Sequence, residues 1–117
     1  MPVRIKRVYD APAKEDGERI LVDRLWPRGL SKEKAHLDEW MKDIAPSPAL
    51  RQWFGHKPER WEAFLARYRQ ELKGNPLLDD LSRRAAAGTV TLLYGARDEK
   101  RNQAVVLAGI LGEKPGA

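Results

Sequence analysis

The sequence predicts an α/β fold, a single three-layer domain over 1–117 with a small, mainly parallel sheet of about four strands flanked by helices. Three observations carry that expectation. TVTLLY at 89–94 is an almost unbroken apolar run, as in a strand covered on both faces. It stands between two segments of helical apolar spacing, and helix, buried strand, short polar loop, helix is the order of a parallel βαβ unit. The chain has 117 residues, 42% of them hydrophobic, which is enough for one core that folds without staples.

The elements follow in chain order. Residues 3–9 (VRIKRVY) alternate as a half-buried strand does, although Arg7 spoils one face. DAPAKEDGE at 10–18, with Pro12 and Gly17, reads as the loop that separates it from a second strand. That strand, Arg19 to Leu25, has the aliphatic density of an interior position and runs into the breaker WPRG at 26–29. Around 38–45 the apolar residues fit both helical and strand spacing, and Pro46 tilts the choice toward a short extended segment. Ser47 then reads as an N-cap with Pro48 at the first helical position.

Three helices are plainer. One starts near Pro58 with the stripe Trp61, Phe64, Leu65, Tyr68 and Leu72, and stops before Gly74, Asn75 and Pro76. The next spans Pro76 to Ala87, with Gly88 as its stop. The last spans about Glu99 to Leu111 and closes at Gly112, leaving 112–117 as a frayed tail.

Composition excludes several function classes. With no cysteine there is no thiol nucleophile, thiolate metal site or disulfide, and a reducing, cytoplasmic compartment fits best. The basic N-terminus lacks the apolar stretch of an export signal, and no apolar run is long enough to cross a bilayer. His36 and His56 have no carboxylate spacing that makes a zinc set, so both read as surface histidines, and no cofactor motif occurs. A net charge of +5 points modestly toward anionic partners.

In open α/β sheets, ligands collect beyond the carboxyl ends of the strands. Two loops belong there, LWPRGLSK at 25–32 and GARDEKRNQ at 95–103, which together with the end of the second strand offer Arg24, Arg28, Lys32, Arg97, Lys100 and Arg101. Asp98 is placed to cap the last helix, and Asn102 follows one turn on. VDRLWPRG at 22–29 sets two arginines around a tryptophan on a rigid turn, which suits clamping a planar anion; the competing reading is an internal Asp23–Arg24 ion pair with Trp26 plugging the core.

VYDAPAKEDGERILVDRLWPRGLSKEKAHLDEW, MKDIAPSPALRQWF, ERWEAFLARYRQEL and VTLLYGARDEKRNQAVVL together closely resemble the YeaO-like bacterial proteins, a family of unknown function, from Val8 to Leu111. VDRLWPRG and APS at 45–47 are its most specific stretches. A larger related group has a cysteine and a His-Arg pair around the loop that here reads YGARDEKRNQ, similar to rhodanese-like anion sites. This chain has Tyr94 at the strand end and Asn102 near the histidine's place, so the resemblance implies anion binding without sulfur transfer.

The expected site is a pocket walled by Asp23, Arg24, Trp26, Arg28, Lys42, Ser47, Tyr94, Arg97 and Asn102, holding a small anionic ligand such as a nucleotide or phosphorylated metabolite. In it the arginines bind charge, Trp26 stacks and Asp23 orients Arg24. One alternative is an enzyme with Asp23 or Asp98 as general base and the arginines stabilising developing charge. Another is nucleic-acid binding through Arg4, Lys6, Arg7, Arg60, Arg67 and Arg69, disfavoured because Glu59, Glu62, Glu71, Asp79 and Asp80 interrupt the basic residues.

Overall fold

The structure, a computed structural model, describes residues 3–113. Strands β1 (Val3–Arg7), β2 (Glu18–Leu21), β3 (Glu39–Trp40) and β4 (Val90–Tyr94) form one sheet in the order β1-β4-β2-β3. Every pairing is parallel, with Val3 and Glu18 both opposite Val90 and with Ile20 opposite Glu39. Five α-helices accompany it: α1 (Lys32–Ala35), α2 (Pro48–Phe54), α3 (Trp61–Leu72), α4 (Pro76–Ala87) and α5 (Gln103–Glu113). The α/β class with a small parallel sheet is therefore as expected.

All five residues of β4 are buried, because β4 is flanked by β1 and β2 and covered on both faces. Period-two alternation divides the apolar residues between two clusters. Ile20, Val90, Leu92 and Tyr94 pack with the inward faces of α2, α3, α4 and α5 in the main core. Leu21, Leu93 and Val8 point the other way, onto Ala35 and the half-buried Trp26, Leu30, Leu37 and Trp40. The third layer is thus thin, one helical turn and a patch of loop aromatics. Each fully buried Leu or Ile in these clusters contributes about 1.5–3 kcal/mol of transfer free energy.

Element ends differ from expectation for local reasons. Strand β1 stops at Arg7, two residues early, where Asp10 N–H turns back to the Arg7 carbonyl. Strand β2 stops at Leu21 rather than Leu25; Val22 still donates to Leu93, but Asp23 turns its carboxylate toward Gly95 N–H. The segment 38–45 pairs only at Glu39–Trp40 and then tightens into a 3-10 turn over Lys42–Ile44, closed by Ala45 N–H on Lys42. Ser47 Oγ accepts from Leu50 N–H at 3.1 Å and Pro48 opens α2, as the sequence indicates. Pro58–Arg60 is a 3-10 turn that leads into α3.

The final helix begins at Gln103 rather than Glu99. Asp98 Oδ1 takes the N–H groups of Lys100 and Arg101 in a turn before the helix, and it is Asn102 Oδ1 that accepts from Val105 N–H in the capping position. Helix α5 runs through Gly112 to Glu113, while 114–117 of the expected tail lie outside the described residues.

The loop at 10–18 contains a feature its composition hides. Asp16 is fully buried and accepts from Ala13 N–H, Lys6 and Arg19. Arg19, itself buried, also donates to the Ala35 and His36 carbonyls and so ties α1 to the sheet. Burial pushes the Asp16 carboxyl up, but these hydrogen bonds outweigh it and hold it below its ordinary value. Gly17 follows at φ 62°, where a Cβ would sit 2.3 Å from the Thr89 carbonyl oxygen.

Candidate functional site

Because all strands run parallel, the residues just past β1, β2 and β4 emerge on one side. Tyr9, Asp23 and Gly95 there line a hollow of about 450 Å³. The turn at 24–28 forms one wall and the approach to α5 another, through Arg101, Asn102 and Gln103. Helices α2 and α3 and the loop between them close the remaining side with Arg51, Phe54, His56 and Phe64.

Asp23 stands at the junction of these walls. Its Oδ2 accepts Gly95 N–H at 2.9 Å and its Oδ1 accepts the Gln103 amide. A Cβ at position 95 would come within 2.9 Å of Oδ2, so glycine there leaves room for the carboxylate. Burial pushes the Asp23 carboxyl up to about 6, against the opposing pull of Gly95 N–H, the Gln103 amide and the Arg51 charge. The group therefore changes charge near neutrality beside an open hollow.

Of the nine residues expected at the site, Asp23, Arg24, Trp26, Arg28 and Asn102 line this hollow. Their roles differ from expectation in three cases. Asp23 does not orient Arg24; the Arg24 guanidinium is held instead by the carbonyls of Pro46 (3.1 Å) and Ala45 (3.0 Å). Trp26 gives its indole N–H to the Leu30 carbonyl and sets its ring edge-on to Trp40 at 5.4 Å, so most of it belongs to the second core cluster. Asn102 is buried and spent on capping α5 and on the Asp98 carbonyl.

Four expected residues lie outside the lining. Lys42 rests over the Trp40 ring at 4.7 Å. Ser47 caps α2, and its hydroxyl donates to Glu71 at 2.6 Å. Tyr94 is a core residue whose phenol burial pushes up in pKa. Arg97 is exposed on the loop before α5.

Arg51 and His56 are wall residues that sequence reasoning missed. Arg51 and Phe54 share a face of α2 at i,i+3 spacing, a signal legible only once α2 is placed against the sheet. His56 is exposed, as a surface histidine should be, yet it faces the hollow with its backbone at φ 56°, which few non-glycine residues adopt. Tyr9, whose hydroxyl donates to the Arg28 carbonyl at 2.8 Å, pins the 24–28 wall to the end of β1.

Among the described residues neither Arg28 nor Arg51 forms an ion pair, and Arg101 reaches only Asp98, at 3.5 Å. Arg24, Arg28, Arg51 and Arg101 thus face one carboxylate, Asp23, across a shared cleft. Guanidinium groups present forked donors that match phosphate and carboxylate oxygens. No group of three or more His, Asp or Glu side chains among the described residues is placed to hold a metal ion, and no described helix is long and apolar enough to cross a membrane.

Comparison with known proteins gives a consistent picture. Residues 2–115 match the family described as the inactive DUF488-N3 subclade. The uncharacterized protein YeaO of Escherichia coli is 42% identical over 113 residues, covering 92% of this chain and 95% of its own. Uncharacterized proteins of Mycobacterium tuberculosis and Mycobacterium bovis are each 41% identical over 109 residues, covering 93% of this chain and 92% of theirs. The resemblance read from the sequence is therefore correct. No solved structure matches the chain.

Proposed function

This chain belongs to the inactive DUF488-N3 subclade, and from that premise we propose that it is a cytoplasmic binding module holding a small anionic ligand, a nucleotide or phosphorylated metabolite, in the hollow between the 24–28 turn and the start of α5. The observation that carries the reading is the convergence of Arg28, Arg51 and Arg101 on a hollow of about 450 Å³, with Arg28 and Arg51 in no ion pair among the described residues. That volume lies within the range of small-ligand sites, roughly 300–1,000 Å³.

Thermal-shift titration with inorganic phosphate, sugar phosphates and nucleotides at two salt concentrations tests it. Stabilisation that weakens with salt and is reduced in Arg51→Ala and Arg101→Ala is the expected result. Each lost charge-assisted hydrogen bond should lower affinity by about tenfold or more. Failure of every anion to stabilise the protein would remove the proposal.

A second reading, catalysis with Asp23 as general base, is favoured by its raised pKa beside an open cleft. Both carboxylate oxygens already accept hydrogen bonds, and the family is described as inactive, which is why binding ranks first. Asp98 is a poorer base: hydrogen bonds from the Lys100 and Arg101 N–H groups hold it below its ordinary value, and it lies outside the lining. Nucleic-acid binding ranks last, since Lys6 pairs with Asp16, Arg7 donates to the Ala96 carbonyl, and Arg60 and Arg67 both lie over Trp53.

A further inference from the structure

The hollow is not uniformly cationic, and its second character narrows the ligand. Among the described residues only Ile5, Tyr9 and Leu25 are large apolar side chains left exposed, and two of these three, Tyr9 at 42% and Leu25 at 59%, line this hollow. Two exposed apolar side chains lining one charged cleft present a surface for something apolar or planar. Among the described lining residues, Asp23 is the one acidic acceptor. Its two oxygens each take one hydrogen bond, from Gly95 and Gln103, so each retains a lone-pair direction for a further donor.

Resting on the binding reading above, we propose that the ligand is a nucleoside monophosphate rather than a ringless phosphate: its phosphate is held by Arg51, Arg28 and Arg101, its base lies against Tyr9 and Leu25, and a base N–H donates to the Asp23 carboxylate. Two kinds of lining group, the apolar pair and the Asp23 carboxylate, then have a use that phosphate alone would leave idle. An inorganic phosphate would engage the arginines while leaving Leu25 in water and Asp23 without a further donor. A donor-bearing ring covers Leu25 and gives the Asp23 carboxylate a hydrogen-bond partner.

Calorimetric titration of the full chain with inorganic phosphate, ribose 5-phosphate and the 5′-monophosphates of adenosine, guanosine, cytidine and uridine distinguishes the two levels of the claim. At least one nucleotide is expected to bind about tenfold or more tightly than ribose 5-phosphate. Asp23→Asn and Leu25→Ala should each narrow that margin, whereas Arg51→Ala should weaken ribose 5-phosphate and nucleotide alike. Leu25 is exposed, so its replacement keeps the test valid should the Asp23 variant fold poorly. Ribose 5-phosphate binding as tightly as every nucleotide, with sensitivity to Arg51→Ala, would overturn the nucleotide assignment and leave the anion site standing. Binding of none of the probes, or binding indifferent to Arg51→Ala, would overturn both.

Discussion

Asp23 makes the stability of this protein pH-dependent in a direction opposite to that of most carboxylates. Its carboxyl stands at about 6 in the folded chain against an ordinary value of 3.8, so folding favours the protonated form. The contribution is fully present below the unfolded value and is lost as pH rises through 6. The whole shift amounts to about 3 kcal/mol, of which about 1.4 kcal/mol falls between roughly pH 7.5 and pH 5. For a chain of this length that interval corresponds to about 4–6 °C in Tm. Urea denaturation of wild type and Asp23→Asn at both pH values isolates it, because the variant lacks only this ionisable group. Wild type should gain about 1.4 kcal/mol more than the variant on acidification. Parallel pH profiles for the two proteins would show that Asp23 is not a proton-linked carboxyl and would refute the reasoning.

Gly17→Ala should destabilise the protein by more than about 2 kcal/mol in urea denaturation, since it combines a left-handed φ with a Cβ placed 2.3 Å from the Thr89 carbonyl oxygen. Asp16→Ala strands the buried Arg19 guanidinium without its carboxylate and should cost about 3–5 kcal/mol; a loss under 1 kcal/mol by the same method would show that the pair is solvated. Ser47→Ala should lower stability by about 1 kcal/mol through the lost cap while leaving phosphate affinity unchanged in calorimetry, because Ser47 lies outside the hollow.

The parts of the fold that rest on periodicity were legible in the residues. TVTLLY reads as a covered strand and is one over Val90–Tyr94, and Ser47-Pro48 marked the start of α2 to the residue. Ends fixed by side chains from elsewhere in the chain were not: β2 gives way at Asp23 because Gly95, seventy-two positions on, supplies an N–H, and α5 starts late because Asp98 takes two N–H groups for a turn. The same division runs through the site. A parallel sheet with two polar loops after its strands locates a hollow, and the turn at 24–28 does face the approach to α5 across it. Which arginines stay uncommitted depends on carbonyls that sequence spacing cannot locate. Arg24, the most suggestive of them in VDRLWPRG, is held by Ala45 and Pro46, while Arg51 carries no motif and faces the cleft. Asp16 escaped notice because a polar, proline-containing loop gives no sign that one of its carboxylates is buried against two cations.

A crystal structure grown with millimolar phosphate bears most directly on the hollow as an anion site. Density for phosphate against the Arg51 and Arg101 guanidinium groups, inside the space bounded by Asp23 and Gln103, is the predicted result. A hollow empty of anion while phosphate occupies other basic patches of the same molecule would contradict it.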